Sequence, residues 1–532
     1  MSDLWASRLL PRLTADERKL VKAARRGEWF GPDDKRLIGL ESAEQQAVRI
    51  QATVIRKLLM GHFGALDPRG VRLRGVLVTG PLDLDRITAI AGLTLKRCAM
   101  SHGISCKRTY LPWISLRWSR LSYLKADGLR IDGDLDLRRS SIHGNNKSGT
   151  VRLLNANIGG LVSLTRAEIK NNCGYALFAD GLRTGSTLFM KRTILWGAGE
   201  RGAVRLLSVH IGGPADLSRA EIINDSGPAL YADRLRTDST LFLNHAILRG
   251  AGERDALRLS GARIGGQADM TKTQVLHHGG RLMVLNEMTV EDELVFPPSV
   301  VCPQRGVNFG RRACIDEVRK IGVRDLVFSR LADVAWQEWL HLLVHHTHDY
   351  RSQPFQQLAK VERAAGHDNF VREILIAQQM DLLRRTPEAL GGKLGRWRHR
   401  LWGLLGRFGY RANRLVAALA MILVFAGGLA YVAGQIPTRP DHYAAERVVP
   451  PNPLGAPVLG PGTPCSTAEL IGLGIDRGLP VGATGLRARC DLDTATRRGQ
   501  AFTYALWAVQ ALVWALATLT VAAYTGLVRK PT

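Results

Sequence analysis

The sequence lacks the short motifs that mark the commonest nucleotide-binding and metallopeptidase enzymes. Gly391-Gly392-Lys393 has neither the spaced glycine nor the Ser or Thr of a phosphate-binding loop, and no Gly-x-Gly-x-x-Gly joins a predicted strand to a helix. The histidine cluster that begins at His341 lacks the Glu of the metalloprotease pattern His-Glu-x-x-His. The sequence therefore predicts no catalytic residue and no cofactor.

Acidic side chains are scarce. The chain has 47 Asp and Glu against 73 Lys and Arg, a formal net charge of +26, which favours an acidic partner such as phospholipid or nucleic acid. Between Leu382 and Arg414 nine basic residues face one acid, Glu388, directly before an uncharged segment. This distribution favours the anionic inner leaflet of a membrane, and nucleic acid is not expected as a partner. Binding of nucleic acid by a basic face of the repeats would show steep salt dependence.

Six apolar positions recur through the middle of the chain at steps of 27, 26, 27, 26 and 27 residues. They are Leu137, Leu164, Met190, Leu217, Leu243 and Met270. A second period of 53 residues, twice the first, is also present, since the sequence of Ala179–Thr184 recurs with one substitution at Ala232–Thr237. Such a period predicts stacked units, none of which can bury its apolar face alone.

Within each unit, apolar and polar residues alternate, as in Ala215–Ile222, which is typical of short strands. We expect each unit to be one turn of a coil, with two strands and a loop of about five residues. A leucine-rich repeat has a similar period but requires a helix-length segment, whereas the connections Asn171–Gly174 and Asn224–Gly227 contain turn-forming residues. A tighter run that begins at Leu82 extends the predicted parallel β-helix over residues 71–300.

Segments of helical spacing flank the repeats and would cover the exposed strand edges of the coil. We expect a helical cap over residues 1–70 and a helical domain over residues 301–390, which ends in a hairpin that turns at Gly366. The expected helices cover Ala15–Arg26, Glu44–Met60, Ile315–Val344 and Pro354–Arg385.

Two uncharged segments, 415–434 and 501–528, are each long enough to cross a bilayer of about 30 Å. Basic residues precede the first and follow the second, so the positive-inside rule predicts a two-pass cell-membrane protein with cytoplasmic N- and C-termini. No segment resembles a cleavable signal peptide. Residues 391–414 predict a basic amphipathic helix on the inner membrane surface. Its apolar residues are Leu394, Trp397, Leu401, Leu404, Leu405 and Phe408.

The predicted outer loop, residues 435–500, is rich in Pro and Gly and gives little sign of a packed core. It contains Cys465 and Cys490, and on the oxidising side of the membrane we expect a disulfide between them that contributes about 3 kcal/mol. Cys98 and Cys106 fall within the coil pattern and are predicted to be small core residues.

His341, His345 and His348 are the candidate metal ligands. His341 and His345 are four residues apart, so on a helix both imidazoles share one face, as in zinc sites. The competing interpretation is a polar helix end. Cys302 and Cys314 are twelve residues apart without a second pair, which does not predict a zinc site.

The segments Ala215–Arg219 and Ala268–Lys272 resemble pentapeptide repeats, whose members form right-handed quadrilateral β-helices. Together with Gly227–Asp233, Ile264–Gln267, Gln353–Phe355 and two C-terminal spans, they resemble actinobacterial membrane-anchored pentapeptide-repeat-like proteins over nearly the whole chain. Such proteins are often labelled membrane-associated oxidoreductases, but this sequence has no flavin, nicotinamide or haem motif. Gyrase-binding DNA mimics of the pentapeptide class are acidic, whereas this solenoid is basic, so that activity is not expected.

The function predicted from these features is that of a membrane-anchored cytoplasmic β-solenoid scaffold that presents a lateral face to a protein partner. Self-association into a homo-oligomer is left open. The alternative is a membrane-associated oxidoreductase or metal-dependent enzyme, as the labels on similar proteins imply.

Overall fold

The computed structural model describes residues 13–32, 48–277, 279, 281–302, 319–448, 462–479 and 489–525. The chain divides into two compact units, residues 1–371 and residues 372–532. Helices are numbered here in chain order.

The first unit is a parallel β-solenoid of about nine turns, which confirms the predicted fold class. Equivalent strands of successive turns pair in parallel, so that Val162 pairs with Leu188 and Leu188 with Ala215. Each complete turn has four short strands, on four faces, where the sequence predicted two. Two-residue strands are too short to show an alternation of their own, which is why only every second one was recognised.

The four faces are built as follows. The first face comprises Tyr110–Leu111, Arg130–Ile131, Asn157–Ile158, Arg183–Thr184, His210–Ile211, Arg236–Thr237, Arg263–Ile264, Thr289–Val295 and Val327–Leu331. The second comprises Val71–Arg74, Leu93–Lys96, Ile114–Ser115, Leu135–Asp136, Val162–Ser163, Leu188–Phe189, Ala215–Asp216, Leu241–Phe242 and Ala268–Asp269. It continues in the last two residues of Thr289–Val295, since Ala268 pairs with Leu294.

The third face comprises Val48–Gln51, Val76–Thr79, Ala99–Met100, Arg120–Leu121, Ser141–Gly144, Glu168–Asn171, Ile194–Gly197, Glu221–Asn224, Ile247–Arg249 and Gln274–Leu276. The fourth comprises Leu82–Asp83, Ile104–Ser105, Leu124–Lys125, Val151–Arg152, Leu177–Phe178, Val204–Arg205, Leu230–Tyr231, Leu257–Arg258, Met283–Val284 and Ile321–Gly322.

The core of the solenoid is the predicted apolar ladder. All six residues that set the period, from Leu137 to Met270, are at most 2% exposed. Each stacks on its equivalents one turn away, and burial of such a side chain contributes about 1.5 to 3 kcal/mol relative to exposure. The stability of each turn therefore depends on its neighbours.

The doubled period of 53 residues has a structural cause at the corner between the third and fourth faces. In successive turns this corner carries Gly144, Asn171, Gly197, Asn224 and Gly250. Asn224 Nδ2 donates hydrogen bonds to the carbonyls of Gly199, at 2.8 Å, and Pro228, at 2.6 Å. A Cβ at Gly197 would lie 2.8 Å from Cα of Ala203, which leaves no room for a side chain. The side chain of each Asn binds the loop of its own turn and the loop of the preceding turn. One Asn therefore serves two turns, and the turn between two Asn residues has Gly at this corner.

The N-terminal end of the solenoid differs in part from the prediction. Helix α1, Ala15–Arg26, has the predicted bounds and begins at a capping box between Thr14 and Glu17. In place of a helix over Glu44–Met60, Val48–Gln51 is a strand that pairs with Val76–Thr79, and helix α2 covers only Ala52–Leu59. Residues 44–47 lie outside the described part.

The C-terminal end also differs. Where a helix over Ile315–Val344 was expected, the strands Ile321–Gly322 and Val327–Leu331 add to the solenoid. Helix α3 is shorter, and residues 315–318 lie outside the described part. A 3-10 turn and two helices complete the described elements of this unit: Pro298–Val300, α3 Trp336–His345 and α4 Gln353–Ala364.

The second unit is mainly helical. Helix α5, Asp368–Arg385, begins in the first unit and follows α4 after a turn at Gly366, as predicted. The further elements are the 3-10 turns Pro387–Leu390 and Arg407–Gly409, helices α6 Lys393–Gly406, α7 Ala412–Ala433, α8 Thr467–Gly478 and α9 Arg497–Tyr524, and the strands Pro437–Arg439, His442–Tyr443, Ala445–Arg447 and Cys490–Leu492.

Two helices of this unit are long and apolar enough to cross a membrane, over Asn413–Ala433 and Arg497–Ala522. Met421 and Val424 on the first of them are 67% and 75% exposed. The predicted amphipathic helix over residues 391–414 is shorter in the structure: α6 ends at Gly406, and the next long helix begins at Ala412. Leu394 and Trp397 on α6 are exposed. Phe408, predicted to share that apolar face, is instead buried, with its ring 4.7 Å from that of His399.

The described residues between the two long helices are packed, contrary to the expectation for this loop. Leu470 and Leu473 of α8 form a core with Ala444, Ala445 and several other apolar residues. A disulfide joins Cys465 to Cys490, with 6.3 Å between their Cα atoms. Pro and Gly dominate the sequence around α8, so the apolar spacing of this short helix was too weak a signal to predict it.

Candidate metal centre

Helix α3 is seated on the C-terminal end of the solenoid. Its Trp339 is 1% exposed and packs edge-on against Phe296 and Phe328, with ring centroids 5.3 Å and 5.8 Å away. Such aromatic pairs stabilise beyond their buried area. The helix therefore has a defined position over the last turn, and this position brings its histidines to Cys302.

Three potential metal ligands converge there: Cys302, His341 and His346. One ligand atom from each lies within 4.8 Å of the other two. Cys302 Sγ is 3.3 Å from His346 Nε2. Cys302 and His346 are buried and His341 is half-buried. A thiolate with two imidazoles is a donor set that zinc accepts.

The orientation of His346 is set by the backbone. Its Nδ1 lies 2.9 Å from the carbonyl oxygen of Arg319. We assign the proton to Nδ1, which donates to this carbonyl, so Nε2 carries the lone pair. Burial lowers the pKa of His346, and it also lowers the pKa of His341. Both imidazoles are thus held neutral, the form that binds a metal.

The spacing is close to that of a tetrahedral site. With zinc–sulfur and zinc–nitrogen bonds of about 2.3 Å and 2.1 Å, ligand atoms lie about 3.5 Å apart. The Cys302–His346 distance of 3.3 Å is close to this value, and the ligand atom of His341 lies within 4.8 Å of both. A zinc ion here would link Cys302, beyond the last long strand, to helix α3.

Of the three predicted ligands, His341, His345 and His348, the structure brings only His341 to the converging atoms. His341 belongs to the cluster. The ring of His345 packs at 4.7 Å from that of His341, but its nitrogens are not among the converging atoms. His348 is exposed and hydrogen-bonded to Asp349 at 2.8 Å. Cys314 lies outside the described residues.

Sequence reasoning did not assign Cys302 or His346 as ligands: Cys302 was considered only with Cys314, and His346 belongs to the histidine cluster but was not a candidate ligand. Helix α3 ends at His345, and His346 leaves the helix with φ −112° and ψ 8°, so helical spacing does not apply to it. Cys302 lies 39 residues before His341. No local pattern joins residues so far apart, and the only available signal was the presence of cysteine and histidine in one region.

One cavity lies beside the turn that follows helix α3. It has a volume of about 120 Å³, and its lining includes Arg281, Arg324, His348 and Arg351 but none of the three converging residues.

Two other cysteines are unsuited to redox chemistry. Burial raises the pKa of Cys98 to about 12 and also raises the pKa of Cys106. A thiol that stays protonated is a poor nucleophile and a poor metal ligand. Both residues act as core side chains, as predicted.

Comparison with protein families, curated proteins and solved structures found no match for this chain. The likeness to membrane-anchored pentapeptide-repeat-like proteins therefore stays a prediction.

Proposed function

We propose that this protein is a membrane-anchored scaffold whose solenoid binds a protein partner through its third face. The observation that carries the proposal is an apolar patch on that face. Ile194 and Trp196 are 40% and 43% exposed, and Ile223 and Ile247 beside them are half-buried. Exposed aromatic and aliphatic side chains on a rigid surface are typical of protein interfaces.

The strand register defines the extent of this patch. Trp196 lies next to Ile223, and Ile194 is two residues before Trp196 on the same strand, whereas Glu221 separates Ile194 from Ile247. Trp196 Nε1 donates a hydrogen bond to Asp225 at 2.7 Å, which fixes the indole on the surface. A partner that covers the patch would bury apolar area without any change in the solenoid.

The anchor in this proposal is the pair of long apolar helices, with α6 at the lipid surface of the inner leaflet. Exposed Leu394, Trp397 and Leu404 alternate along α6 with arginines, which suits anionic lipid. The positive-inside rule supports cytoplasmic termini, with the Cys465–Cys490 disulfide on the outer side. The solenoid then lies in the cytoplasm.

Photo-crosslinking in cells tests the partner. A photoreactive amino acid in place of Ile194 should give a defined crosslinked species that is lost when Trp196→Ala is added. The matched control is Asn157, which is exposed on the opposite face of the solenoid. Equal crosslinking from both positions, or from neither, would contradict the proposed binding face.

Labelling of Cys173 tests the topology separately, since this thiol is exposed on the solenoid. In a Cys314→Ser background, a membrane-impermeant maleimide should label it only after lysis, and adding Cys173→Ser should remove the signal. Labelling in intact cells would place the solenoid outside and overturn the anchoring scheme.

The second candidate function is that of a metal-dependent protein, and the Cys302, His341 and His346 cluster favours it. Purified protein should then contain stoichiometric zinc or iron that is lost in Cys302→Ser and in His346→Ala. His348→Ala, at the exposed histidine, should retain the metal. A metal-free wild-type protein that is equally stable with and without added zinc would remove this candidate.

A further inference from the structure

One corner of the solenoid carries a column of basic residues. Between the second and third faces, each turn has one residue in the left-handed backbone conformation. From the N-terminal side these residues are Arg97, Trp118, Arg139, Arg166, Arg192, Arg219, His245 and Lys272, with φ between 52° and 58°. We call this set the basic column. The backbone N–H of each residue up to His245 donates a hydrogen bond to a carbonyl of the next turn toward the C-terminus. Arg139 donates in this way to Thr165, and Arg166 donates to Lys191.

Backbone conformation does not explain this composition. Left-handed φ is costly for most residues and favours Gly, Asn and Asp. The diagonally opposite corner has the same left-handed conformation, but its residues are of several types, including Gly, Asn, Ser and Glu as well as Arg. Its residues are Arg86, Arg108, Gly128, Asn155, Gly181, Ser208, Arg234, Gly261 and Glu287, with φ between 50° and 69°. Five arginines and a lysine in the basic column therefore require another reason.

Three charges in the middle of the column are not paired with acids. In the part of the chain that the structure describes, no carboxylate lies within 4.0 Å of the guanidinium groups of Arg166, Arg192 or Arg219. Arginines on the fourth face behave differently, since each pairs with an aspartate one turn away. These pairs are Arg152–Asp127 at 2.7 Å, Arg205–Asp180 at 2.7 Å and Arg258–Asp233 at 3.0 Å.

A second basic row runs beside the column and forms a groove with it. The groove has a volume of about 340 Å³, and its lining consists of Arg117, Trp118, Arg138, Arg139, Thr165, Arg166, Lys191 and Arg192. Asp136 neutralises part of this row by accepting hydrogen bonds from Arg117 and Arg138. Burial raises the pKa of Asp136, but these hydrogen bonds outweigh burial and hold the pKa below its ordinary value.

The column is long, straight and narrow. Stacked strands are about 4.8 Å apart, so the seven steps from Arg97 to Lys272 span about 34 Å. Carboxylates flank it on both sides, Asp216 and Asp269 on the second face and Glu168 and Glu221 on the third. A flat anionic membrane laid on this corner would also face these acids, whereas a single strand of anions can follow the column itself.

We propose that the basic column binds a linear chain of phosphates, such as inorganic polyphosphate or the backbone of a single-stranded nucleic acid. Trp118 supports recognition by charge, because Lys96, Arg97 and Arg139 already lie 5.3 to 5.6 Å from its ring and cover it. Base stacking is therefore not the main contact. The column borders the apolar patch on the third face, since Arg192 is two residues before Ile194, but the proposed phosphate contacts use none of the patch residues.

The test compares two triple variants of the full-length protein in detergent. Arg166→Asn, Arg192→Asn and Arg219→Asn remove three column charges, and Asn tolerates left-handed φ, so folding should be preserved. Arg86→Asn, Arg108→Asn and Arg234→Asn make the same changes at the opposite corner. Binding of fluorescent polyphosphate and of oligo(dT) is measured by anisotropy over a range of salt concentrations.

The column variant should bind at least about tenfold more weakly than wild type. It should also show a log–log salt slope smaller by about two, from three contacts at about 0.7 each. The control variant should bind like wild type. Binding of either probe in this pattern supports the proposal, and the probe that binds identifies the source of the phosphates. Equal losses in both variants, or no binding of either probe by wild type, would overturn it.

Discussion

Replacement of Asn224 by Ala should open the loops at one corner of the solenoid. Asn224 is 1% exposed, and its Nδ2 donates to two loop carbonyls at 2.8 Å and 2.6 Å. Its Oδ1 also accepts the backbone N–H of Ser226 at 3.2 Å. Each buried group left unsatisfied costs about 1 to 3 kcal/mol, and water entering the loops offsets part of this cost. We expect the free energy of local opening to fall by about 2 to 4 kcal/mol.

Hydrogen–deuterium exchange of the full-length protein in detergent measures this opening. Since about 1.4 kcal/mol corresponds to a factor of ten, amides in residues 198–203 and 225–229 should exchange about 30 to 700 times faster. Turns far along the solenoid, such as the one that contains Leu137, should keep their protection because each turn contacts only its neighbours.

Asn172 provides the matched control. It is an exposed Asn in an equivalent loop, and no side-chain hydrogen bond is formed by it among the described residues. Asn172→Ala should leave exchange unchanged. If Asn224→Ala and Asn172→Ala behave alike, the alternation of Asn and Gly does not hold the loops, and the account of the doubled period is wrong.

Three further changes test other parts of the structure. Asp136→Asn should lower the free energy of unfolding by about 1 to 2 kcal/mol at pH 7. The pKa of Asp136 is lowered in the folded state, so the stabilisation that it provides is lost as the pH falls. Thermal melts of the two proteins should therefore converge below about pH 4. Gly474→Ala places a Cβ against the carbonyl of Ala426 and should lower the melting temperature by overpacking that costs about 1 to 3 kcal/mol, whereas Gly428→Ala, in open space, should not. Cys490→Ser should cost about 3 kcal/mol and abolish the effect of a reductant on the melting temperature.

Much of the solenoid could be predicted because its signal is repeated. The ladder from Leu137 to Met270 is one pattern written six times, so chance matches are excluded. Helix α1 was predicted for a different reason, since its capping box and apolar spacing are both local. Two uncharged segments were enough to predict the two long helices of the second unit.

Elements whose partners are distant in sequence could not be predicted. Val48–Gln51 and Ile321–Gly322 are strands only because a neighbouring turn offers unpaired backbone groups. Helix α8 was missed because its stability comes from packing between the long helices. Secondary structure of this kind is set by tertiary contact, which overrides local propensity.

The sequence alone determined the period, the buried positions, the uncharged spans and the excess of basic charge, because each is a property of residue type and spacing. Only the tertiary structure decided which side chains meet. It brings Cys302 to His341 and His346 across 39 residues or more, because helix α3 is seated on the last turn. It also lines up arginines from successive turns into one column, since parallel stacking repeats the same corner about every 4.8 Å.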